Sequence, residues 1–401
     1  MHVASEQSGS QPTIEAWDSV SQPARPIIRE LLVTGPRSRT ELARLLGLST
    51  GSLTRLTKPL VQSGLLVERE ILHDPNNGRP TLPLDIVAKD FHFFGAKLTA
   101  DWMHGVITDL RAEVVAQHSE PLDVRTPEGV AAQARALMDR LARESRPPVA
   151  AGFTMGGNSS GGDRASGGDR APEPALFDAP WLDWWQVPLR SLLSDAMGIP
   201  CVVRNDVFAL AYGQHWFGVT RGLPDFALVT IGPGIGYALC LNGRVLQFAE
   251  KGVIEFGHHI LDPGGPMCAA GHRGCVLSYL STEAVLSAAA YGLHRTVTVD
   301  EIAAQAADGN AVCQDIVRQA GWALGMLVAT IANLTGVETV VVAGENVDVV
   351  RGAHRHIREG ISRRRFRDPQ SADTLMLSSS FTEWARGGAV EAIRAFVVEG
   401  R

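Results

Sequence analysis

Residues 38–56 decide the fold of the N-terminal part of the chain, and they read SRTELARLLGLSTGSLTRL. Ser38 with Glu41 three residues later is a capping box, which opens a short helix. Gly47 supplies a turn, because glycine adopts a positive φ at little cost, and Ser49 or Thr50 caps a second helix. The inward positions are apolar at helical spacing: Leu42, Ala43 and Leu46, then Leu53, Leu56 and Leu60. This spacing predicts a helix-turn-helix, whereas a simple helical hairpin would not need it.

The flanking residues predict a winged version of this motif. Residues 26–33 have the spacing of a preceding helix, which Gly35-Pro36 ends. Residues 65–70 and 81–87 predict two strands that form the wing around a turn at 74–80. We therefore predict a flexible tail over residues 1–22 and a winged helix-turn-helix domain over residues 23–88. Pro59, late in the second helix, predicts a kink or early fraying.

The polar positions of this motif predict a DNA contact surface. Four residues at the start of the second helix would reach base edges in the major groove: Thr50, Gly51, Ser52 and Arg55. Arg37, Arg39 and Lys58 would contact phosphates, which position a protein on DNA without specifying sequence. Arg79 at the wing tip would enter a minor groove. Residues 37–80 contain seven basic and four acidic residues, so this segment is positively charged, whereas the whole chain has a net charge of −6.

Composition limits the remaining classes of protein. The chain has 401 residues, of which 45% are hydrophobic and 20% charged, which excludes collagen, coiled-coil and wholly disordered proteins and predicts two or three globular domains. The net negative charge excludes a polybasic nucleic-acid coat. Five cysteines at low density, after a polar N-terminus without an apolar signal segment, predict a cytoplasmic protein. The uncharged run at 319–337 is long enough to span a membrane, but a buried helix followed by a strand is favoured, and we expect no membrane partner.

From about residue 91, alternating strand and helix patterns predict an α/β body over residues 89–401. A segment rich in glycine, serine, aspartate and arginine at 156–174 predicts a mobile surface loop. Trp181, Trp184 and Trp185 follow it, and they fit either packing aromatics or a ligand cage.

Two places in this body carry polar groups that suit ligand binding. Asn205-Asp206 ends a predicted strand, at the edge where α/β sheets hold ligands, and could bind sugar hydroxyls. Asp206 could also act as a base or simply cap the next helix. The Gly232–Gly236 loop could approach a phosphate, but it joins two strands rather than a strand and a helix, and Pro233 removes a donor.

A further cluster suggests a metal site. Glu255-Phe256-Gly257-His258-His259 precedes Cys268 and Cys275, and such a cluster in a cytoplasmic chain suggests zinc with four tetrahedral ligands. His258, Cys268 and Cys275 supply three of them. The fourth would be His272, His259 or water, and the alternative is a loop with free thiols.

These motifs in this order resemble the ROK family of repressors and sugar kinases, over roughly residues 25–400. The most specific matches are Gly78-Arg79-Pro80, Asn205-Asp206, Gly234-Ile235-Gly236, Glu255-Phe256-Gly257-His258 and Gly271-His272-Arg273-Gly274-Cys275. The resemblance implies an α/β fold with an N-terminal winged helix-turn-helix followed by two actin/hexokinase-like lobes. It also implies a sugar cleft between the lobes and regulators that act as homodimers or homotetramers.

By the same resemblance, the sugar-binding residues are Asn205, Asp206, Glu255 and His258. The family's zinc motif has a cysteine at the position of Ala270 in this chain. It has a glutamate, which also helps bind sugar, at the position of Leu277. The metal site over His258, Cys268 and Cys275 is therefore incomplete. The family's kinases hold ATP with an Asp-x-Gly-Gly-Thr motif, whereas residues 95–103 lack the glycine pair and Pro233 replaces a threonine. We therefore expect no ATP binding.

Together these features predict a sequence-specific transcription regulator of carbohydrate-related genes, in the form of a repressor, with an operator in double-stranded DNA and a sugar effector. The alternatives are a sugar kinase with an added DNA-binding domain and a DNA-binding protein that ignores sugar. The expected protein is not an enzyme.

Overall fold

The computed structural model describes residues 13–69, 82–160, 176–246, 255–365 and 372–401. The chain divides into two compact units, Met1–Ala209 with Thr382–Arg401, and Leu210–Phe381. Within the described residues, no helix combines the length and apolar character needed to cross a membrane.

The first unit begins with the winged helix-turn-helix. Its helices are α1 (Arg25–Thr34), α2 (Arg39–Leu45) and α3 (Thr50–Gln62), and its wing strands β1 (Leu66–Glu68) and β2 (Leu84–Ile86) pair antiparallel. Helix α3 continues for three residues past Pro59, so the expected early fraying is wrong. Leu42, Ala43, Leu53 and Leu60 are buried, as the spacing predicts, whereas Leu46 and Leu56 are half-buried.

Part of the predicted flexible tail is packed against the protein. Ile14–Trp17 forms a 3-10 helix, and a second one spans Gln22–Ala24. Trp17 is fully buried and packs edge-to-face on Phe91, with ring centroids 5.2 Å apart. The tail prediction is therefore wrong for residues 13–22, because an indole in a polar stretch supplies enough apolar surface to fix it. Residues 1–12 lie outside the described part of the chain.

A five-stranded sheet in the order β10-β6-β3-β4-β5 forms the body of the first unit. Its strands are β3 (His92–Leu98), β4 (Trp102–Asp109), β5 (Val114–Pro121), β6 (Ala150–Met155) and β10 (Cys201–Asn205). Helices α4 (Pro127–Leu141) and α5 (Leu189–Met197) contribute to its core. A small sheet of β7 (Asn158–Ser160), β8 (Leu176–Ala179) and β9 (Trp184–Val187) follows β6. The predicted Gly-rich loop thus begins with strand β7, and residues 161–174 are not described.

Helix α13 (Thr382–Ala392), followed by a π-helical segment (Ile393–Glu399), returns from the end of the chain to this sheet. A Cβ on Gly95 would overlap the carbonyl oxygen of Ala385, and one on Gly152 would overlap that of Gly388. The helix therefore lies backbone to backbone on β3 and β6, which only glycine permits.

The second unit repeats the same strand order. Its sheet has the order β13-β12-β11-β14-β15. Strands β11, β12 and β13 form an antiparallel meander, and β14 and β15 extend the sheet in parallel from β11, as in the first unit. The strands are β11 (Phe226–Ile231), β12 (Ile235–Leu241), β13 (Arg244–Val245), β14 (Thr339–Ala343) and β15 (Asp373–Met376). The predicted pair of α/β lobes is confirmed by this duplicated topology.

The helices of the second unit bury one large core against this sheet. They are α7 (Leu277–Leu280), α8 (Thr282–Leu293), α9 (Val299–Ala307), α10 (Ala311–Thr335), α11 (Val347–Arg351) and α12 (His354–Arg364), while α6 (Asp206–Phe217) carries the chain from the first unit into the second. Helix α10 contains most of the uncharged run considered above as a membrane span, and thirteen of its residues are buried in the protein.

Candidate functional sites

The helix-turn-helix has the local bonding that its sequence predicts. The Ser38 hydroxyl accepts a hydrogen bond from the backbone of Glu41 at 3.2 Å, and the Glu41 carboxylate accepts one from the backbone of Ser38 at 2.9 Å. Gly47 has φ +65° in the turn. Ser49 caps α3, since its hydroxyl accepts from the Ser52 N–H at 3.1 Å. These caps fix the angle at which α3 leaves the turn.

The outer face of α3 carries two cations that have no partner among the described residues. Arg55 and Lys58 are exposed, and neither makes a hydrogen bond or ion pair with any residue that the structure describes. Thr50 and Gly51 are also exposed, while Ser52 is half-buried and its hydroxyl accepts from that of Ser49 at 2.9 Å. The face can therefore approach a polyanion with two free positive charges.

The other predicted DNA contacts are placed differently. Arg39 is bound to Glu68 on β1 at 2.6 Å, and Arg37 donates to the Thr34 hydroxyl at 3.3 Å and lies 4.0 Å from Glu41. Both guanidinium groups would have to share these partners with a phosphate. Arg79 lies outside the described residues.

Asn205 and Asp206 lie together where β10 meets α6, and a third residue joins them. The Lys97 ammonium, on neighbouring strand β3, donates to the Asp206 carboxylate, and both side chains are nearly buried. The other Asp206 oxygen accepts from the Val207 N–H at 2.9 Å, and the Lys97 nitrogen lies 5.0 Å from the centre of the Trp384 ring. Asp206 thus both begins the helix and carries a paired charge, so the capping and ligand-binding interpretations are compatible.

Arg204, which precedes Asn205 and Asp206, connects strand β10 to helix α13. Arg204 donates to the Glu391 carboxylate of α13 at 3.3 Å, and Arg394 donates to the same oxygen at 2.7 Å. Burial raises the pKa of Glu391, but the two guanidinium groups outweigh it and hold that pKa below its usual value. Glu391 is therefore an anion inside the first unit, and it fixes the end of β10 to α13.

Glu255 and His258 belong to the second unit, so the four predicted sugar-binding residues are divided between the two units. Glu255 is exposed, and its carbonyl accepts from the His258 N–H at 2.9 Å. Phe256 stacks on Tyr237 with ring centroids 4.5 Å apart, which anchors this turn to β12. Leu277, which occupies the position where the resemblance places a glutamate, packs beside Gly257.

The predicted metal group is assembled within the second unit. The donor atoms of His258, Cys268 and Cys275 all lie within 4.8 Å of one another. The Nδ1 atom of His258 lies 3.8 Å from the Cys268 sulfur. Burial raises the pKa of the Cys268 thiol, but backbone hydrogen bonds at His272 and Ala270 outweigh it and lower that pKa. Thiolate and imidazole donors at these separations fit a tetrahedral zinc ion.

The glycine hairpin between β11 and β12 does not resemble an open phosphate cradle. The Gly232 N–H donates to the Gly234 carbonyl at 3.1 Å, which uses one donor within the loop. A Cβ on Gly232 would overlap the carboxylate of Glu345, so this acidic side chain lies directly against the loop. A carboxylate there repels a phosphate group.

Two of these side chains were absent from the predictions. Lys97 could have been noticed as the one charged residue in the run FFGAKL, but its partner is 109 positions away in sequence. Glu345 follows a glycine after the apolar strand β14, a position where the C-terminal edge of a sheet places ligand-facing residues.

Comparisons with known proteins agree with this architecture. The fold is similar to the crystal structure of a ROK family transcriptional regulator that is a homologue of the E. coli MLC protein, with TM-score 0.75, 21% identity and coverage of 94% of this chain and 98% of that one. It is also similar to a ROK family glucokinase from Streptomyces griseus, with TM-score 0.62, 22% identity and coverage of 75% and 99%. At these identities the two structures support the fold alone.

Similar sequences include two regulators of Escherichia coli (strain K12). The DNA-binding transcriptional repressor Mlc is 23% identical over 322 residues, 77% of each chain. The DNA-binding transcriptional dual regulator NagC is 26% identical over 354 residues, 84% of each chain. The family model for the ROK family matches residues 170–391. Since this match spans more than half of the chain, the protein described here belongs to the ROK family.

Proposed function

We propose that this protein is a transcriptional repressor that binds an operator in double-stranded DNA and responds to a sugar or sugar derivative. The observation that carries the proposal is the capped helix α3, which presents Arg55 and Lys58 on an exposed face, with no partner for either side chain in the part of the chain that the structure describes. Thr50, Gly51, Ser52 and Arg55 would contact base edges in the major groove. Relatives named as repressors support this assignment.

Phosphate contacts would position the motif on DNA. We assign this role to Lys58, to Arg37 and to Arg39, whose bond to Glu68 would be exchanged for a phosphate. Arg79 on the wing would enter the minor groove. A homodimer or homotetramer would place two such motifs on two half-sites of one operator in the cytoplasm.

The effector would contact Asn205 and Asp206 in the first unit and Glu255 and His258 in the second. Their carboxylate, amide and imidazole groups offer the donors and acceptors that sugar hydroxyls require. Within the first unit, the Lys97 ammonium holds the Asp206 carboxylate in place. A zinc ion at His258, Cys268 and Cys275 would fix the turn that carries Glu255.

A chain of contacts within the first unit supports transmission from the effector to DNA. Arg204 next to Asn205 bonds Glu391 of α13, and α13 continues into the segment whose Val397 carbonyl accepts from Arg25 of α1 at 3.0 Å. A shift of β10 on binding would therefore reach the helix that supports the DNA-binding domain.

The same residues argue against a sugar kinase. The Lys97 ammonium donates to the Asp206 carboxylate, so that oxygen is already occupied by a partner, and Glu345 faces the glycine hairpin. We expect no ADP release when the protein is mixed with ATP and a sugar, and a coupled ADP assay tests this.

Capture of sheared genomic DNA tests the DNA-binding proposal. The wild-type protein should enrich a few sites at moderate salt, and Arg55→Ala should lose that enrichment. Arg143→Ala is the matched control, because Arg143 is equally exposed and unpaired among the described residues but lies at the end of α4. Diffuse, steeply salt-dependent capture by the wild-type protein would overturn sequence-specific binding.

Calorimetry tests the effector site separately. Glucose, N-acetylglucosamine and xylose are the first ligands to titrate, since relatives and one similar structure are named for them. Asp206→Asn should abolish binding of the active sugar, and the exposed Asp195→Asn should leave it unchanged. Equal binding by wild type and Asp206→Asn would disprove the assigned site while leaving the DNA result intact.

A further inference from the structure

The imidazole of His272 meets that of His258 beside the two thiols of the metal group. The Nδ1 atoms of the two rings are 2.9 Å apart, and the ring centroids are 4.6 Å apart with 75° between the planes. Two imidazole nitrogens at this separation either share one proton or point at a common cation. His272 is exposed, so its ring is free to adjust.

We propose that His272 supplies the fourth ligand of a zinc ion held by His258, Cys268 and Cys275, so that this chain has a site with two nitrogen and two sulfur donors. The inference rests on the proposed function of this group as a metal site. The position occupied by Ala270 provides no donor atom, and His272 compensates for it from two residues further along the same loop.

The donor separations suit one tetrahedral ion. With zinc about 2.0–2.1 Å from nitrogen and about 2.3 Å from sulfur, tetrahedral geometry places two nitrogens about 3.3 Å apart and a nitrogen and a sulfur about 3.6 Å apart. The corresponding distances here are 2.9 Å between the two histidines and 3.8 Å between His258 and Cys268. His272 lies outside the donors that are within 4.8 Å of one another, so its exposed ring would have to turn toward the two sulfurs to complete the geometry.

The backbone holds these four donors near one another. The Cys268 N–H donates to the His272 carbonyl at 2.8 Å, and the Gly271 N–H donates to the Cys268 carbonyl at 2.9 Å, which closes a tight turn with Gly271 at φ +84°. A β-bridge between Ile260 and Cys275 then ties this turn to the segment of His258. His272 is therefore carried over the cluster by the turn that begins at Cys268.

The other candidate is placed less well. His272 and His259 both lie outside the three donors that are within 4.8 Å of one another, but His272 places a ring nitrogen against His258, whereas the buried Nε2 atom of His259 has no hydrogen-bond partner among the described residues. The Val276 N–H donates to the His259 carbonyl at 3.0 Å. This bond fixes the backbone of His259 beside the segment that follows Cys275. Two thiolates also balance the charge of Zn²⁺, so the second neutral imidazole completes the shell without adding charge.

Metal titration of the full chain tests the inference. Zinc affinity is measured by competition with a chromogenic chelator, and Co²⁺ serves as a spectroscopic probe of the ligand set. The wild-type protein should bind one zinc per chain and give the intense visible bands of tetrahedral cobalt. His272→Ala should weaken zinc binding at least tenfold, and His259→Ala should bind as the wild type does.

A replacement donor separates a ligand from a merely structural residue. His272→Cys should recover zinc binding and strengthen the sulfur-to-cobalt absorption, and circular dichroism confirms that each variant is folded. Zinc affinity and a cobalt spectrum unchanged in His272→Ala would overturn the role of His272 while leaving a three-residue site. Absence of stoichiometric zinc from the wild-type protein, or a zinc affinity unchanged in Cys268→Ser, would overturn the metal site itself.

Discussion

Lys97 is a charged side chain in a strand that is buried along its whole length, and it is neutralised by Asp206. Burying two charges is costly, and their attraction compensates only when both remain. We therefore expect the pair to serve the proposed binding site rather than stability, since it holds a carboxylate at the end of β10.

A double-mutant cycle measures this dependence. Lys97→Met should lower the free energy of unfolding by about 3 kcal/mol, because it leaves the Asp206 carboxylate buried and unpaired. The double variant Lys97→Met/Asp206→Asn should recover most of that loss. Urea unfolding gives both values, and strictly additive effects would show that the two side chains do not interact.

His104 on β4 makes stability depend on pH. Burial, with a smaller effect of the Lys97 cation, lowers its pKa from 6.5 to about 4. Between pH 6.5 and 4 the unfolded chain binds a proton that the folded chain does not, so the free energy of unfolding should fall as the pH falls through this window.

The free energy of unfolding of His104→Gln, measured across this window, should depend less steeply on pH than that of the wild type. The number of protons taken up on unfolding should be smaller by up to one. His354→Gln is the control, because His354 is exposed and lies at the start of α12. An unchanged slope in His104→Gln would mean that His104 is protonated in the folded protein.

At the scale of elements, the contact of α13 with β3 and β6 depends on the lack of side chains at two strand positions. Gly152→Ala should destabilise the protein by about 2–3 kcal/mol, because the new methyl group overlaps the Gly388 carbonyl. Gly352→Ala meets no atom within 4 Å and should change stability by less than about 1 kcal/mol. Thermal unfolding of both variants is the measurement, and equal melting temperatures would contradict the close contact.

The elements that sequence predicts well are those with local signals. The caps at Ser38 and Ser49, with apolar residues at helical spacing, predict the helix-turn-helix. Apolar runs indicate the central strands. Strand β5 has no such local signal, because it buries Ala116 while most of its other residues face solvent and it therefore lacks a regular alternation. The packed Trp17 and the pairing of Lys97 with Asp206 depend on contacts across the fold, which no local pattern contains.

At the scale of the whole molecule, hydrogen bonds from Arg25 and Arg111 join the DNA-binding domain to the first lobe. Arg25 of α1 donates to the Val397 carbonyl, and Arg111, which follows β4, bonds both Asp85 of β2 and, at 3.4 Å, the Leu32 carbonyl of α1. A domain held by such contacts can change its orientation when either contact moves.

Arg25→Met tests the first of these contacts. Loss of the bond to Val397 should speed hydrogen exchange in α1 and weaken DNA binding about tenfold, while exchange in α8 of the second unit stays unchanged. Hydrogen-exchange mass spectrometry and a DNA-binding titration provide the readouts. Wild-type protection of α1 in this variant would show that the C-terminal segment does not support it.

The return of residues 382–401 to the first unit also has a consequence for biosynthesis. On the ribosome, the second unit is complete when residue 381 has emerged, but the sheet of the first unit still lacks α13 and α1 lacks its partner at Val397. The DNA-binding domain is therefore among the last parts to acquire its native support, although it is the first to be translated. A chain that terminates early or loses its last twenty residues to a protease would be a regulator without a firmly seated DNA-binding domain, so incomplete copies would compete poorly for the operator.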